Sequence, residues 1–366
     1  MIHRCLILFP ALLLTSGQLV ADVSLYGQIG AGVSGFSYDD SDDHSAMTDR
    51  ARSRIGLRLG SDIDERLRAI GQFEWNVNAI TGGNQGNDTF VRRQTFIGLA
   101  NDLGELTIGA HQAAYGFTGG TRWDPMVTTE FEQRRTGGMA GGIYAHNSFL
   151  DRTVQYRSPR VGGIQLILQT GVDTTLEQYP GQRDGNVGDL VSTINFSHGE
   201  FELIAAAVKI DRINKDIENN GDSNLKAGVR WANESWSVSI QHERIGILEG
   251  AARAASVDHL QGFDRHARFT DAHSHLWLGT TYTRGRNMLY LGLARAQSDA
   301  DNEDLSIATL AAVHRPVPHF HLYAGIQQAR YDEGLGSLAD NGELLAENER
   351  LLKFGIGARY DFSVDL

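Results

Sequence analysis

A single cysteine, Cys5, stands within the first 21 residues, so the chain beyond them has no disulfide, no thiol nucleophile and no thiolate metal site. Proline is scarce, six in 366 residues, which excludes a Pro-rich linker and suits a chain of paired strands. No apolar run after the first 21 positions approaches the roughly 20 residues of a helical membrane span. Basic excess is missing as well: the formal charge is -12 and the pI about 5.5, which argues against a nucleic-acid partner. Neither a Gly-x-Ser-x-Gly elbow nor a metalloprotease helix motif occurs. An outer-membrane hydrolase built on a serine and a histidine stays as an alternative reading, with no particular pair singled out.

What is present begins with an export signal. Residues 1–21 carry His3 and Arg4, an apolar stretch from Leu6 to Leu14, and small or apolar residues leading to Ala21. The apolar core is too short to cross a bilayer and a polar Thr15-Ser16-Gly17-Gln18 stretch follows it. The expected boundaries are a signal peptide over 1–21, cleaved after Ala21 although Leu19 replaces the usual small residue, and one domain over 22–366. Loss of Arg4 then takes the net charge from -12 to -13.

From Asp22 onward, runs of about ten residues place apolar side chains at every second position. In the first, Val23, Leu25, Ile29, Ala31 and Val33 alternate with Ser24, Gln28 and Ser34. In the last, Phe354, Ile356, Ala358, Tyr360, Phe362, Val364 and Leu366 alternate with Lys353, Arg359, Asp361, Ser363 and Asp365. Side chains of a strand point alternately to opposite faces, so each run has one face for lipid and one for water. That dilution reconciles a mean hydropathy of -0.29 with a membrane protein. The reading is all-β, an antiparallel transmembrane barrel.

Strands are expected at 22–36, 52–61, 66–78, 92–100, 105–111, 151–158, 163–173, 187–198, 200–211, 223–233, 235–244, 272–284, 287–297, 304–314, 319–330 and 350–362, sixteen in all. An acidic loop (Asp39, Asp40, Asp42, Asp43) precedes the second. Connections alternate between short and long, with Gly199, Asn233-Glu234 and Gly285-Arg286 as hairpin signals. Outer-membrane barrels put short turns in the periplasm and long loops outside. In the fourth strand Phe96 and Ile97 are both apolar, and periodicity does not settle its facing.

Arg52, Arg54 and Arg58 fall on the wet side of the second strand, opposite Ile55 and Leu57, and charge rings are how pores discriminate ions. The segment from Ala113 to Leu150 is too long for an ordinary connection and holds Asp124, Glu130, Glu132, Arg134 and Arg135. It could fold inward and narrow a channel. His259, His266, His273 and His275 lie close in sequence but follow no tight ligand spacing, and read as part of a solvated external loop rather than a metal site. Trp75, Trp231, Trp236, Tyr156, Tyr282 and Tyr360 read as aromatic girdles at the membrane interfaces.

Several short stretches resemble the general Gram-negative porins: Val23-Ser24-Leu25-Tyr26-Gly27, Ser53-Arg54-Ile55-Gly56-Leu57, Arg93-Gln94-Thr95-Phe96-Ile97-Gly98-Leu99, and Asp151-Arg152-Thr153-Val154-Gln155-Tyr156-Arg157-Ser158-Pro159 followed by Gly162-Gly163. Their order is that family's order. The resemblance implies a sixteen-stranded outer-membrane barrel, a homotrimer in contact with lipid and lipopolysaccharide, that passes small hydrophilic solutes and ions without a cofactor. It further implies a third external loop folded into the lumen, with its acids Asp124 and Glu130 facing wall arginines Arg54 and Arg93 across a constriction. Two departures stand out: Gly109-Ala110-His111 lacks the basic residue many relatives have after that glycine, and Leu366 replaces the usual terminal aromatic. A substrate-specific channel for a sugar or other nutrient shares this fold and stays open. So does the sign of ion preference, although the basic face of the second strand leans it towards anions.

Overall fold

Period-two sequences with one apolar face pair edge to edge, and here the pairing closes on itself. The computed structural model describes residues 22–38, 41–48, 53–80, 91–133, 149–171, 190–209, 223–246, 272–301, 304–332 and 350–366; the expected signal peptide lies outside them. The strands are β1 (Asp22–Tyr38), β2 (Ser41–Thr48), β3 (Arg54–Asp62), β4 (Arg68–Asn76), β5 (Val91–Asn101), β6 (Gly104–Gln112), β7 (Phe149–Arg157), β8 (Ile164–Gly171), β9 (Leu190–His198), β10 (Phe201–Lys209), β11 (Ser223–Ala232), β12 (Trp236–Ile245), β13 (His273–Arg284), β14 (Asn287–Ser298), β15 (Leu305–Val317), β16 (Phe320–Tyr331) and β17 (Arg350–Asp365). One helical turn, α1 (Gly120–Trp123), lies between β6 and β7.

Every strand pairs antiparallel with its neighbours, and β17 returns to β1 in register from Ser24 opposite Asp365 to Tyr38 opposite Leu351. Closure leaves no sheet edge, which satisfies the backbone in hydrocarbon. Seventeen segments occupy sixteen positions around the wall, because β3 pairs with the lower part of β1 and β2 with its upper part. Ser41–Thr48 therefore corrects the expected acidic loop. The cause is the length of β1: its upper half would otherwise expose unpaired N–H and C=O groups on the side facing away from β17.

The facing of the wall is inverted relative to a soluble protein. Thr309 is 1% exposed while its neighbour Leu310 is 57% exposed. Ile29, Val33, Ile108, Leu291, Ile326, Phe354 and Ile356 share the exposed face, and Gln28, Ser34, Gln155, Gln169, Ser239 and Gln327 the covered one. An apolar exterior around a polar interior is the signature of a barrel that sits in lipid. Tight turns link the strands at one rim, with left-handed glycines at Gly199 (φ 57°) and Gly285 (φ 58°), where a side chain would be strained. Five of the six expected girdle aromatics stand near that rim: the Trp236 and Tyr282 rings lie 4.6 Å apart, the Tyr156 hydroxyl donates to the Leu103 carbonyl at 2.7 Å, and the Trp231 indole donates to Glu200 Oε2 at 2.7 Å. Tyr360 is half exposed opposite Phe320. Trp75 stands towards the other end of β4, its ring stacked 6.0 Å from Phe73.

Candidate functional site

On the polar face of β1 and β3–β5, charged side chains converge on one carboxylate. The Tyr26 hydroxyl donates to Glu74 Oε2 at 2.9 Å, and Arg93 Nε donates to Glu74 Oε1 at 2.5 Å. Arg93 Nη1 also donates to Asn76 Oδ1 at 2.7 Å, and its guanidinium lies 4.5 Å from the Phe149 ring centre. Arg54 Nε is 3.6 Å from Glu74 Oε2, and the exposed Arg58 guanidinium sits 4.0 Å over the Tyr26 ring. Gly56, in register with both Tyr26 and Glu74, makes room for this: a Cβ there would lie 2.4 Å from Tyr26 Cζ.

Arg93 reaches this face through a bulge. Phe73 pairs with Thr95, but Trp75 pairs with Arg92, so β5 spends one residue more than β4. An extra residue switches which parity points to a given face. Below the bulge, Phe96 stacks on His111 at 5.0 Å on the polar side and Ile97 is exposed on the apolar one, which resolves the facing that alternation left open. Farther round the wall Arg359 Nε and Nη2 lie 3.1 and 3.2 Å from the Asp361 carboxylate. His321 Nε2 is 3.2 Å from the same carboxylate, and Arg315 Nε donates to His321 Nδ1 at 3.3 Å. Between the rim residues Asp22 and Asp365 and the level of Lys353, this side of the polar face carries five arginines, Arg54, Arg58, Arg93, Arg315 and Arg359, against two carboxylates, Glu74 and Asp361, among the described residues. Arg52 lies outside the described residues.

The segment 113–133 is secured to the same polar face along the strands from β9 round to β17. Lys226 Nζ donates to the carbonyls of Tyr115 and Thr118, the Tyr115 hydroxyl to Glu243 Oε2 at 3.1 Å, and the Gly120 amide to Gln241 Oε1. The Trp123 indole donates to Glu202 Oε2 at 3.1 Å, and its ring rests on Gly228, where a Cβ would lie 2.9 Å from it. Beyond α1, Gln133 donates to Thr309, Gln327 to the Phe131 carbonyl and Lys353 to the Glu130 carbonyl. Two apolar clusters reinforce these bonds: Ala114 and Tyr115 with Val191, Ala206 and Val208, and Met126 and Phe131 with Met288, Tyr290, Ala311, Val313 and Tyr323.

The segment's acids are covered rather than displayed. Glu130 packs on Gly32 of β1, where a Cβ would fall 1.8 Å from its Oε1. Glu132 accepts the Thr128 amide at 2.9 Å and so holds that residue in its left-handed conformation (φ 72°), an arrangement that costs about 1–3 kcal/mol for a non-glycine residue. Asp124 accepts the Met126 amide at 2.9 Å. Burial pushes the Asp124 carboxyl up to about 7, with the nearby Glu132 adding to the effect and the Met126 amide and Tyr290 hydroxyl partly offsetting it. Arg54 and Arg93 are thus brought together by Glu74, Asp124 lies with Glu132 beside Tyr290, and Glu130 packs on β1, the neighbour of the strand bearing Arg54.

The Gram-negative porin family model matches residues 10–334 of this barrel's chain. The chain belongs to the Gram-negative porin family. It is an outer-membrane β-barrel, and family and fold point to a channel rather than an enzyme. The porin is 30% identical over 170 residues to the major outer membrane protein P.IA of Neisseria meningitidis serogroup C, a match covering 41% of each chain. It is 25% identical over 259 residues to the outer membrane porin protein OmpD of Citrobacter koseri, covering 67% of this chain and 65% of that one. The matched stretch thus spans about two-fifths of the length of the Neisseria relatives. An anion-selective porin from Comamonas acidovorans shares the fold with a TM-score of 0.72 over 94% of this chain and all of that one, at 18% identity.

The histidine reading needs correction. His273 and His275 belong to β13 of the porin wall, covered and on the polar face with Trp277, because the alternation His273, His275, Trp277 against Ser274, Leu276 and Leu278 continues the strand. His259 and His266 lie outside the described residues. Among the described residues no group of three or more His, Cys, Asp or Glu is arranged to hold a metal.

The Asp124 carboxyl makes the docking of the segment pH-dependent. Its value in the docked state lies above the ordinary 3.8, so the docked state holds the extra proton. That contribution is complete below about pH 4 and is lost as pH rises to about 7, for an effect of a few kcal/mol, order of magnitude. Single-channel current noise should therefore grow between pH 4 and 7 and stay level above. Asp124→Asn, which cannot ionise, should hold the quiet low-pH behaviour throughout; noise that follows pH equally in both proteins would exclude this assignment.

Proposed function

We propose that this porin is a passive diffusion channel for small hydrophilic solutes and ions, with a preference for anions, working without cofactor or energy input. The observation that carries this reading is the excess of five arginines over two carboxylates among the described wall residues around Glu74 and Asp361. In this reading that segment lies in the lumen, and the open passage runs between it and the arginine wall. Charge of one sign at close range biases ions, and within a screening length of about 8 Å the local arginines outweigh the net charge of the chain. Glu130 is the segment acid that packs on β1, the neighbour of the strand bearing Arg54. Gly32, which it covers, lies four residues along β1 from Gln28, the partner of Arg54, roughly 13 Å at strand spacing. That is too far for an ion pair.

The signal peptide is proposed to leave at Ala21, and three copies to assemble with lipid and lipopolysaccharide around their exposed apolar faces. Native mass spectrometry of detergent-solubilised protein that returns only monomer would count against the trimer. The test of the channel is reversal potential in a planar bilayer under a salt gradient, comparing the parent with Arg54→Ala and Asp124→Ala. Arg54→Ala should move selectivity towards cations. Asp124→Ala should move it towards anions by a smaller amount, because a carboxyl titrating near 7 carries only part of a charge at neutral pH. Absence of any channel, or no shift from either change, would overturn the reading.

A further inference from the structure

Of the five wall arginines, Arg58 and Arg315 have no carboxylate beside them among the described residues, and Arg58 is taken up by the Tyr26 ring. Arg93 and Arg54 share Glu74, Arg58 lies on Tyr26 beside them, and Arg359 takes Asp361. Among the described residues Arg315 contacts the Nδ1 of His321 and, at 4.0 Å, the sulfur of Met288. Its Nε–H donates to Nδ1, which leaves the His321 proton on Nε2, directed at Asp361. The chain Arg315, His321, Asp361, Arg359 therefore spans three strands, β15 to β17, with Arg359 opposite His321 in register. Asp361 is consumed by His321 and Arg359, and an uncompensated guanidinium remains. The turn between β15 and β16 begins at Pro318, three residues from Arg315, so the group sits at the short-turn mouth.

We propose that Arg315 and Arg359, flanking His321, form a second cationic station at the short-turn mouth that takes divalent tetrahedral oxoanions, inorganic phosphate being the simplest. The chemistry selects the class. Chloride senses only charge, whereas an oxoanion gains paired N–H···O bonds from the planar guanidinium fork, stronger than those to neutral groups. Asp361 fixes Arg359 and the His321 ring so that their geometry is set before the anion arrives. This station rests on the channel reading above and extends it from ions in general to one class, held at one end of the pore.

The experiment uses the purified full-length porin in a planar bilayer carrying a chloride current, with inorganic phosphate added to one side and then the other. Expected is a block that is stronger from the short-turn side, and a half-blocking phosphate concentration from that side that rises about fivefold in Arg315→Gln. Arg315→Lys, which keeps the charge without the fork, should fall between the two. Both variants should still carry an unblocked chloride current, which certifies that they have folded. A block equal from the two sides, or one that Arg315→Gln leaves unchanged, overturns the station while leaving the channel in place. Absence of chloride current in the parent overturns the channel reading itself, and the station with it.

Discussion

Glu74→Gln is expected to lower the melting temperature of the barrel and to move its reversal potential further towards anions. Arg93 is 3% exposed at its side chain and lies 2.5 Å from the Glu74 carboxylate. Taking away one member of a buried ion pair leaves the other charge uncompensated, at a cost of about 3–5 kcal/mol. Glutamine keeps the volume and can still accept from Tyr26, so the lower end, about 3 kcal/mol, is the expectation. The same change removes one of two negative charges set against five positive ones, which is why the selectivity moves with the stability. The temperature of the mobility shift in detergent gels and the reversal potential report the two effects separately. Removing the cation as well, in Glu74→Gln with Arg93→Gln, should recover much of the stability, because no buried charge is then left alone. A parental melting temperature in the single variant would mean that Arg93 finds another counter-charge.

A change of different character is expected from Phe131→Ala. Phe131 and Met126 are fully covered, packed on Met288, Tyr290, Ala311, Val313 and Tyr323, a dry cluster on an otherwise polar face. Truncating a buried phenylalanine costs about 3–5 kcal/mol in lost transfer and cavity terms. Here the loss falls on the docking of the segment, since the strand hydrogen bonds that close the barrel do not involve Phe131. The barrel should melt near the parental temperature while its conductance rises and larger sugars enter in liposome-swelling assays. Gln133→Ala, which removes one neutral hydrogen bond to Thr309, should cost about 1 kcal/mol and leave the size limit nearly unchanged. An unaltered size limit in Phe131→Ala would show that the segment does not set it.

Alternation by itself determined the class of this protein. A residue pointing to one face forces the next to the other, so Val33 against Ser34, or Leu310 against Thr309, tells which face meets lipid without knowledge of any contact. Short turns at Gly199 and Gly285, and hence the order of hairpins around the wall, were legible for the same local reason. Arg54 was assigned correctly to the polar face because Ile55 and Leu57 lie within its own strand. Arg93 was not decided by periodicity, since the bulge that turns it depends on how β4 and β5 pair. Glu74, the carboxylate that collects Tyr26, Arg54 and Arg93, carries no local signal in the sequence that sets it apart from the other polar residues of β4. The seats of the segment lay further still from any local signal: Gly228 under Trp123, Gly32 under Glu130, and Lys353 bonded to a carbonyl 223 positions earlier in the chain. Facing is a property of adjacent residues and survives in the sequence. Which charge meets which is settled only when barrel closure carries residues hundreds of positions apart to the same level of the wall.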